Sequence, residues 1–476
     1  MLGMALFSLV FADLRIQTND PWFELSLMTK GFLSPKLDHW GLVLPALFKT
    51  LAFAVQGVVF SAILGFVFAL YFKYTFIRVL AAFIRSIHEL FWALLFIQMT
   101  GLSSLTGFLA ILIPYTGVFA KVFSEILDEC DKKAEESLSD KTSYLSLMLY
   151  TRVLLGWHQI KNYIAYRLEC GIRSSAILGF VGLPTLGFEL ESFFKQGDYS
   201  EAAGLLYIFF ILIFSLKYVF YVKLLPLYVL AAVIYLPPVA TISWNTIKVF
   251  LFEDIFPNSL EQGDWTGFWE WSKMLWLNGG LEGVGNTFVL GQLALVLTGI
   301  LALLLFPFRS SLFFLKPGRS LGHLFLVVLR SCPEYLLAFV GLLILGPSML
   351  PAIIALGIHN SAIIGHLLAL QTKHLKLRED VCRGVNLYFF EVIPRLYGNF
   401  LALLFYRWEI ILRETAILGM LGIPTLGFFI DSAFEEVRFD RALFYILMSA
   451  CLNIIVDYVS VTCRRKLHLH SQPELV

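Results

Sequence analysis

Apolar residues along the chain fall into runs long enough to cross a lipid bilayer, separated by polar segments that carry most of the charge. The runs predict five spans in the first half, near residues 49–72, 77–98, 105–127, 162–190 and 202–222. They predict five in the second half, near 283–306, 321–345, 349–370, 396–430 and 442–462, and one between the halves near 224–243. Because a span takes about 20 apolar residues, the pattern indicates an all-α polytopic membrane protein with about 11 spans.

Composition agrees with this class. The chain is 58% hydrophobic and 15% charged, whereas a soluble domain is about 25% charged. The net charge of +1 gives no reason to expect a nucleic acid partner. The six cysteines form no CxxC pair or Cys/His cluster, so we expect no disulfide framework, no metal site and no cofactor.

A 23-residue segment occurs twice. Residues 166–188 read YRLECGIRSSAILGFVGLPTLGF and residues 406–428 read YRWEIILRETAILGMLGIPTLGF, with 14 of 23 positions identical and no gap. The offset is 406 − 166 = 240. A match of this length indicates that the chain consists of two related halves in tandem.

Loop charges predict the orientation of these halves. Basic residues concentrate after the first and third spans of each half and at the C-terminus, which the positive-inside rule places in the cytoplasm. The stretch before the second half is acidic and is expected outside. The extra span near 224–243 then gives both five-helix halves the same orientation, as parallel repeats. We expect an N-terminal segment (1–44), a first repeat (45–222), a linker with one transmembrane helix and an external segment (223–282), and a second repeat (283–476).

Charged residues recur within the apolar repeats. Glu169 and Arg173 are four residues apart, as their copies are, so each pair is expected to share one helix face. They are either symmetric charged gates or a basic lining for an anion, or else salt bridges that anchor the helix. A second repeat, at an offset of 330 − 85 = 245, gives two further pairs at this spacing. The candidate pathway or gate residues are Arg167, Glu169, Arg173, Arg407, Glu409, Arg413, Arg85 and Arg330, and the second pairs are Arg85–Glu89 and Arg330–Glu334.

Glycine and proline follow these charges in both copies. The glycines permit close helix contact, and each proline is expected to break its helix, either beside a pathway or at a simple outer bend. The candidate helix-break residues are Gly182, Pro184, Gly187, Gly422, Pro424 and Gly427. His359 and Asn360 interrupt another apolar span, where an interhelical hydrogen bond is expected in preference to solute contact. No acidic residue stands out in the middle of a span.

A long polar loop precedes each copy of the repeated segment. The second contains LREDVCRGVNLYFFEVIP (377–394), which resembles the coupling segment of binding-protein-dependent ABC importer permeases. That family has Glu-Ala-Ala, then Gly, then an apolar stretch that ends in Pro. The matches are Glu379, Gly384, Ile393 and Pro394, and Asp380 and Val381 replace the two alanines. The coupling candidates are Glu379, Asp380, Gly384 and Pro394, with Glu135 and Glu136 in the first loop. Without the resemblance, each loop is equally an ordinary basic loop held by lipid headgroups.

The repeated segment itself resembles the phosphonate-type branch of these permeases. That branch has Arg-x-Glu, a second Arg and a Leu-Gly-x-x-Gly run, which correspond here to Arg407, Glu409, Arg413 and 418–422. This chain has Pro184-Thr185 and Pro424-Thr425 where the branch has a further Gly-Gly, which leaves the solute open.

The resemblance implies a fused pair of permease copies in a bacterial inner membrane. It further implies two copies of a cytoplasmic ABC ATPase, an external solute-binding protein, and transport of phosphonate, phosphite or phosphate. The chain has no GxxxxGK[ST] phosphate loop, so ATP hydrolysis is expected in a separate subunit and the chain is not expected to be an enzyme. The alternative is an ion-coupled secondary transporter that acts without an ATPase.

Overall fold

The computed structural model describes residues 2–18, 20–131, 142–221, 224–236, 243–375, 377–378 and 384–467. Within these ranges the regular structure is helical and no strand occurs. Contacts divide the chain into two units. The first is Leu27–Phe252, and the second joins Met1–Ser26 to Glu253–Leu475.

The helices are numbered in chain order. The N-terminal pair is α1 (Leu2–Leu9) and α2 (Pro21–Leu33). The first unit continues with α3 (Trp40–Leu70), α4 (Thr75–Ser86), α5 (Glu89–Thr100), α6 (Ser104–Glu129), α7 (Val153–Ile177), α8 (Leu186–Gln196), α9 (Tyr199–Val219) and α10 (Leu225–Tyr235). The second contains α11 (Trp265–Leu275), α12 (Leu281–Leu305), α13 (Lys316–Ser331), α14 (Glu334–Leu345), α15 (Met349–Gln371), α16 (Ile393–Ile417), α17 (Leu426–Glu435) and α18 (Phe439–Lys466).

The helices confirm an all-α polytopic membrane protein. Among the described residues, seven helical segments are long and apolar enough to cross a bilayer, and three further pairs qualify if each bent pair is one span. The connecting span predicted near 224–243 corresponds to α10, which has only 11 residues. Residues 237–242, which would extend it, lie outside the described residues.

Two predicted spans are broken helices. The runs near 77–98 and 321–345 are α4–α5 and α13–α14, which bend by 90° and 85°. In the second pair, Pro333 lacks an N–H and disfavours helical geometry at Cys332, so α13 ends there. In the first pair, Ile87 and His88 are extended and the His88 imidazole caps α5 by accepting from the Leu90 nitrogen at 3.2 Å.

The breaks change one prediction about charge pairing. Arg85 ends α4 whereas Glu89 begins α5, and Arg330 and Glu334 are separated by the break in the same way. The i, i+4 rule needs a continuous helix. The prediction that these pairs share one helix face is therefore wrong.

The two units contain corresponding helix contacts. In the first, α3 packs against α6 and α7, and in the second, α12 packs against α15 and α16. Glycine permits the closest approaches: a Cβ at Gly57 would lie 2.6 Å from the Ile111 side chain, and one at Gly291 would lie 2.7 Å from that of Leu412. Each unit thus places its repeated segment beside its first long helix.

Candidate functional site

The repeated segment contains the same helix break in both units. The α7 and α16 helices each end in a 3₁₀ turn, 178–181 and 418–421, after which Gly182 and Gly422 adopt φ of 89° and 84°. Side chains disfavour this left-handed backbone, and glycine does not. Pro184 and Pro424 then lie in the short connection to the next helix. In the first unit the two helical segments meet at 53°.

The chain after each break turns back against the helix before it. A Cβ at Gly187 would lie 1.9 Å from the Ala176 carbonyl oxygen, and one at Gly427 would lie 1.4 Å from that of Ala416. No side chain fits at these distances. Glycine is therefore required for the contact between the two arms of each break.

A threonine from the first long helix of each repeat caps the helix that follows the break. Thr50 Oγ1 accepts a hydrogen bond from the Leu186 nitrogen at 2.9 Å, and Thr287 Oγ1 accepts one from the Leu426 nitrogen at 3.0 Å. Helices α8 and α17 receive no cap from the side chains of their own N-cap residues. The missing acceptor is supplied by α3 or α12.

Buried polar side chains gather beside the break in the second unit, and we call them the second cluster. Asn360 Nδ2 donates to Glu414 Oε2 at 2.9 Å, and Arg407 donates to Asn360 Oδ1 at 3.3 Å. His359 Nδ1 donates to the Cys332 carbonyl at 2.9 Å, which directs Nε2 toward Glu334 Oε2 at 3.7 Å. Asn360, Arg407, Glu414, His359 and Glu334 are all buried. The expected interhelical hydrogen bond of the His359–Asn360 pair is therefore present.

The first unit has a corresponding first cluster with different groups. Ser174 Oγ donates to Glu89 Oε1 at 2.6 Å and lies 3.0 Å from the Tyr115 hydroxyl. His88 Nδ1 accepts a backbone hydrogen bond, so Nε2 carries the proton and faces Glu89 Oε2 at 3.3 Å. Apart from the imidazoles, the two clusters use equivalent positions: Glu89 and Glu334, Tyr115 and Asn360, and Ser174 and Glu414.

The first arginine of the repeated motif has different surroundings in the two units. Arg167 Nε donates to the Tyr163 hydroxyl at 2.8 Å. Its guanidinium carbon lies 5.3 to 5.9 Å from the ring centroids of Tyr115, Tyr163 and Tyr166, within the range of a cation–π interaction. Arg407 instead joins the hydrogen-bond network of Asn360. The half-buried Arg167 is thus bordered by aromatic faces, whereas Arg407 is buried in a polar network.

The remaining motif charges lie deeper in their helices than the sequence indicates. The predicted span near 162–190 places Arg167 and Glu169 close to its start, whereas the span near 396–430 places Arg407 and Glu409 further in. Helix α7 begins at Val153 and α16 at Ile393, so these charges occupy the middle of each helix, and Arg173 and Arg413 occupy its C-terminal part.

The coupling candidates are only partly described. Glu379, Asp380, Glu135 and Glu136 lie outside the described residues. Gly384 has φ of 70°. Pro394 lies near the start of α16, directly after a π-helical turn at Leu387–Val392. Between Gly384 and Pro394, Glu391 pairs with Arg395 at 2.7 Å and with Arg378 at 3.4 Å.

Sequence reasoning missed two kinds of residue. It named Glu89 and Glu334 only as partners of Arg85 and Arg330 and did not single out Glu414, whereas all three glutamates are buried. Glu414 was not selected because its counterpart is Ser174, and the comparison of the repeats selects only charges that occur in both. Thr50 and Thr287 occur at equivalent places in the two repeats, and that recurrence was the available signal.

The chain is similar to permease proteins of phosphorus-compound importers. It is 22% identical over 429 residues to the phosphate-import permease protein PhnE of Mycolicibacterium smegmatis, which covers 82% of this chain and 77% of that protein. It is 30% identical over 172 residues to the phosphite transport system permease protein PtxC of Stutzerimonas stutzeri, covering 34% of this chain and 62% of that protein. No protein-family model matches the chain, and no solved structure matches it.

Proposed function

We propose, from the homology of this chain to phosphonate-type permeases of ABC importers, that it is the membrane subunit through which a phosphorus oxyanion enters the cell. The observation that carries the proposal is the extent of the match to PhnE, because 82% of the chain cannot be contained in one repeat. The match to PtxC covers 34% of the chain, which is less than one half. Both repeats therefore belong to the permease part of the protein.

The proposed solute is an anion of the phosphonate, phosphite or phosphate class. The relatives are named for phosphate and phosphite. Arg167 and Arg407 provide guanidinium groups in equivalent helices, and guanidinium matches the geometry of phosphorus oxyanions. We propose that they line or gate the pathway together with Glu169, Arg173, Glu409, Arg413, Arg85 and Arg330.

Energy is proposed to come from separate subunits. Two copies of a cytoplasmic ABC ATPase would engage the loops at 128–143 and 372–394, and a solute-binding protein would deliver the anion on the outer face. This arrangement requires a cytoplasmic C-terminus, as the Arg464-Arg465-Lys466 cluster favours. It also places the acidic segment before the second repeat outside.

The outer segment offers a surface for the solute-binding protein. An open cavity of about 670 Å³ is lined by residues that include Glu253, Asp254, Glu261, Trp271, Arg438 and Asp440. Its acidic rim favours a partner with basic residues around its own binding cleft.

One observation favours the alternative, an ion-coupled secondary transporter. The buried carboxyl groups of Glu334 and Glu414 resemble the protonatable groups that such transporters use as relays. That function predicts uptake without ATPase, and uptake that stops when the ion gradient is dissipated. Both results differ from those expected of an importer subunit.

The test is co-purification of an ATPase from the native host with the detergent-solubilised chain. Gly384→Ala strains a left-handed turn in the second coupling loop and is expected to weaken co-purification, as is Glu379→Gln. Gly285→Ala is the matched control, since a Cβ there has no atom within 4 Å. Recovery of no ATPase with any variant would remove the importer proposal and leave the secondary transporter.

A further inference from the structure

Four basic side chains converge in the second unit away from the buried clusters, and we call them the Arg309 cluster. Arg309 ends the 3₁₀ turn after α12 and hydrogen-bonds to the imidazole of His366 on α15. The ring centroids of His323, on α13, and His366 lie 5.6 Å apart. Arg330, in the last turn of α13, lies near these three side chains. His366 is buried and the other three are half-buried.

The backbone brings these groups together through two glycines beside the histidines. A Cβ at Gly322 would lie 2.3 Å from the Phe308 carbonyl oxygen, so α13 touches the turn that carries Arg309. A Cβ at Gly365 would lie 3.4 Å from the Phe306 nitrogen, so α15 approaches the same turn. Ser310 and Thr372 then join the turn to the end of α15 through a buried 2.8 Å hydrogen bond. The cluster is therefore held by packed backbone.

The first repeat preserves the basic character of three of these positions. With the offset of 330 − 85 = 245, His323, Arg330 and His366 correspond to Arg78, Arg85 and Lys121. The first long helices of the two repeats align at a different offset, 287 − 50 = 237, which is set by Thr50 and Thr287. At this offset Arg309 corresponds to Phe72 and so has no basic counterpart. A basic triad is thus common to both repeats, and the second repeat adds a guanidinium to it.

The guanidinium groups of Arg309 and Arg330 repel each other, and in a partly buried place this repulsion is costly. An anion bound between the guanidinium groups would attract both of them and offset their mutual repulsion. A planar guanidinium can donate two parallel hydrogen bonds to a tetrahedral oxyanion, and an imidazole N–H can add a single one. Arg309, His323 and His366 come from three different elements, so together they approach an oxyanion from several directions.

We infer that the Arg309 cluster binds a tetrahedral phosphorus oxyanion, either as the free anion or as the phosphate group of a lipid. The choice of phosphorus rests on the proposed function. The cluster lies beside the loop between α12 and α13, the end that the loop charges assign to the cytoplasm. A free anion bound there would occupy a site on the release side of the permease.

The experiment uses the full chain in nanodiscs of phosphatidylcholine, which carries no net charge, with radiolabelled inorganic phosphate as the probe. Arg309→Gln is expected to weaken the phosphate binding seen in the wild type by about tenfold, the effect of losing a charge-assisted hydrogen-bonded group. Arg309→Lys keeps the charge without the planar fork and is expected to give an intermediate loss. Lys316→Gln is the matched control, because it removes an exposed charge from the same region.

A second arm distinguishes the source of the phosphate group. Native mass spectrometry compares how much added phosphatidylglycerol and phosphatidylcholine remain on the wild type and on Arg309→Gln. Loss of phosphatidylglycerol retention on the variant, without phosphate binding in the first arm, assigns the site to a lipid headgroup. Arg309-dependent phosphate binding assigns it to the free anion.

The inference is overturned if Arg309→Gln matches Lys316→Gln in both arms. The unfolding temperature without phosphate identifies a variant that does not fold, and in that case Arg309→Lys and His366→Gln carry the comparison. No ATPase is present in these measurements, so their failure leaves the proposed import function untouched.

Discussion

Thr50 and Leu186 are 136 residues apart, yet Thr50 Oγ1 accepts a 2.9 Å hydrogen bond from the Leu186 backbone nitrogen. Thr287 holds Leu426 in the same way at 3.0 Å. Each threonine caps a helix that begins just after a break, and each break is stabilised from a neighbouring helix. Both units therefore join their first long helix to the repeated segment by the same bond.

This relationship predicts the effect of removing either hydroxyl. Thr287→Val leaves the buried Leu426 N–H without an acceptor and is expected to lower the free energy of unfolding by about 1–3 kcal/mol. Thr287→Ser retains the hydroxyl and is the control. Denaturation of the purified chain by detergent measures both. Equal stability of the two variants would show that the bond contributes nothing.

Substitution of Gly187 or Gly427, the glycine that packs against the helix before each break, has a larger expected effect. Gly427→Ala puts a methyl group 1.4 Å from the Ala416 carbonyl oxygen, so α16 and α17 must separate. We expect loss of the folded chain, observed as aggregation in size-exclusion chromatography. Gly285→Ala, which adds a methyl group in open space, should elute as the wild type does. A monodisperse Gly427→Ala protein would contradict the close contact.

The two buried clusters predict the outcome of a transplant between repeats. Glu414→Ser removes one of the two acceptors of Asn360 Nδ2, the other being the Leu356 carbonyl, and is expected to cost about 1 kcal/mol, the scale of a hydrogen bond inside a membrane protein. Adding Asn360→Tyr recreates the tyrosine–serine pair that the first unit holds at 3.0 Å. We expect the double variant to recover part of the lost stability. If the double variant loses more stability than the sum of the losses in Glu414→Ser and Asn360→Tyr, the clusters are not equivalent.

The N-cap of α11 predicts a pH dependence. Asp264 Oδ1 accepts from the nitrogens of Thr266 and Gly267 at 3.1 and 3.0 Å and from the Thr266 hydroxyl at 2.6 Å. These bonds lower the pKa of Asp264, the hydroxyl bond most of all. A lowered pKa in the folded state gives stability that is present above the ordinary aspartate value, about 4, and is lost as pH falls through the folded value.

The measurement compares unfolding midpoints of the wild type and Asp264→Asn across that range. The wild type is expected to be more stable at neutral pH, and the difference is expected to vanish in acid. Glu270→Gln removes an exposed charge from the same helix and should show no such trend. A difference that persists unchanged in acid would contradict the capping role of the ionised carboxyl group.

The sequence predicted most of the spans because bilayer-length apolar runs and a gap-free repeat with 14 of 23 identical positions are strong local signals. Pro333 marks the break between Ser331 and Glu334 in the sequence, whereas no proline or glycine marks the break between Ser86 and Glu89. The predicted spans of α7 and α16 also begin too late. Polar residues at 158–162 follow the first turn of α7 and interrupt its apolar pattern, so hydropathy assigns the helix before them to the preceding loop.

The clusters depended on three-dimensional contacts that spacing does not reveal. His88 and His359 come from non-equivalent positions, yet each lies within 4 Å of the corresponding glutamate, at 3.3 and 3.7 Å. An alignment of the two repeats does not place these histidines at the same position, because His88 aligns with Pro333 and His359 with Pro114. Asn360 was singled out, but its partner Glu414 was not, because the equivalent of Glu414 is an uncharged serine.

The central claim is that this chain is a permease subunit whose transport is driven by ATP hydrolysis in another protein. The most direct measurement is uptake of radiolabelled phosphate and phosphite into proteoliposomes that contain the chain with its co-purified ATPase and binding protein. The account predicts uptake that requires ATP and all three components and continues when a protonophore dissipates the ion gradient. Uptake by the chain alone, abolished by the protonophore, would contradict it and establish an ion-coupled transporter.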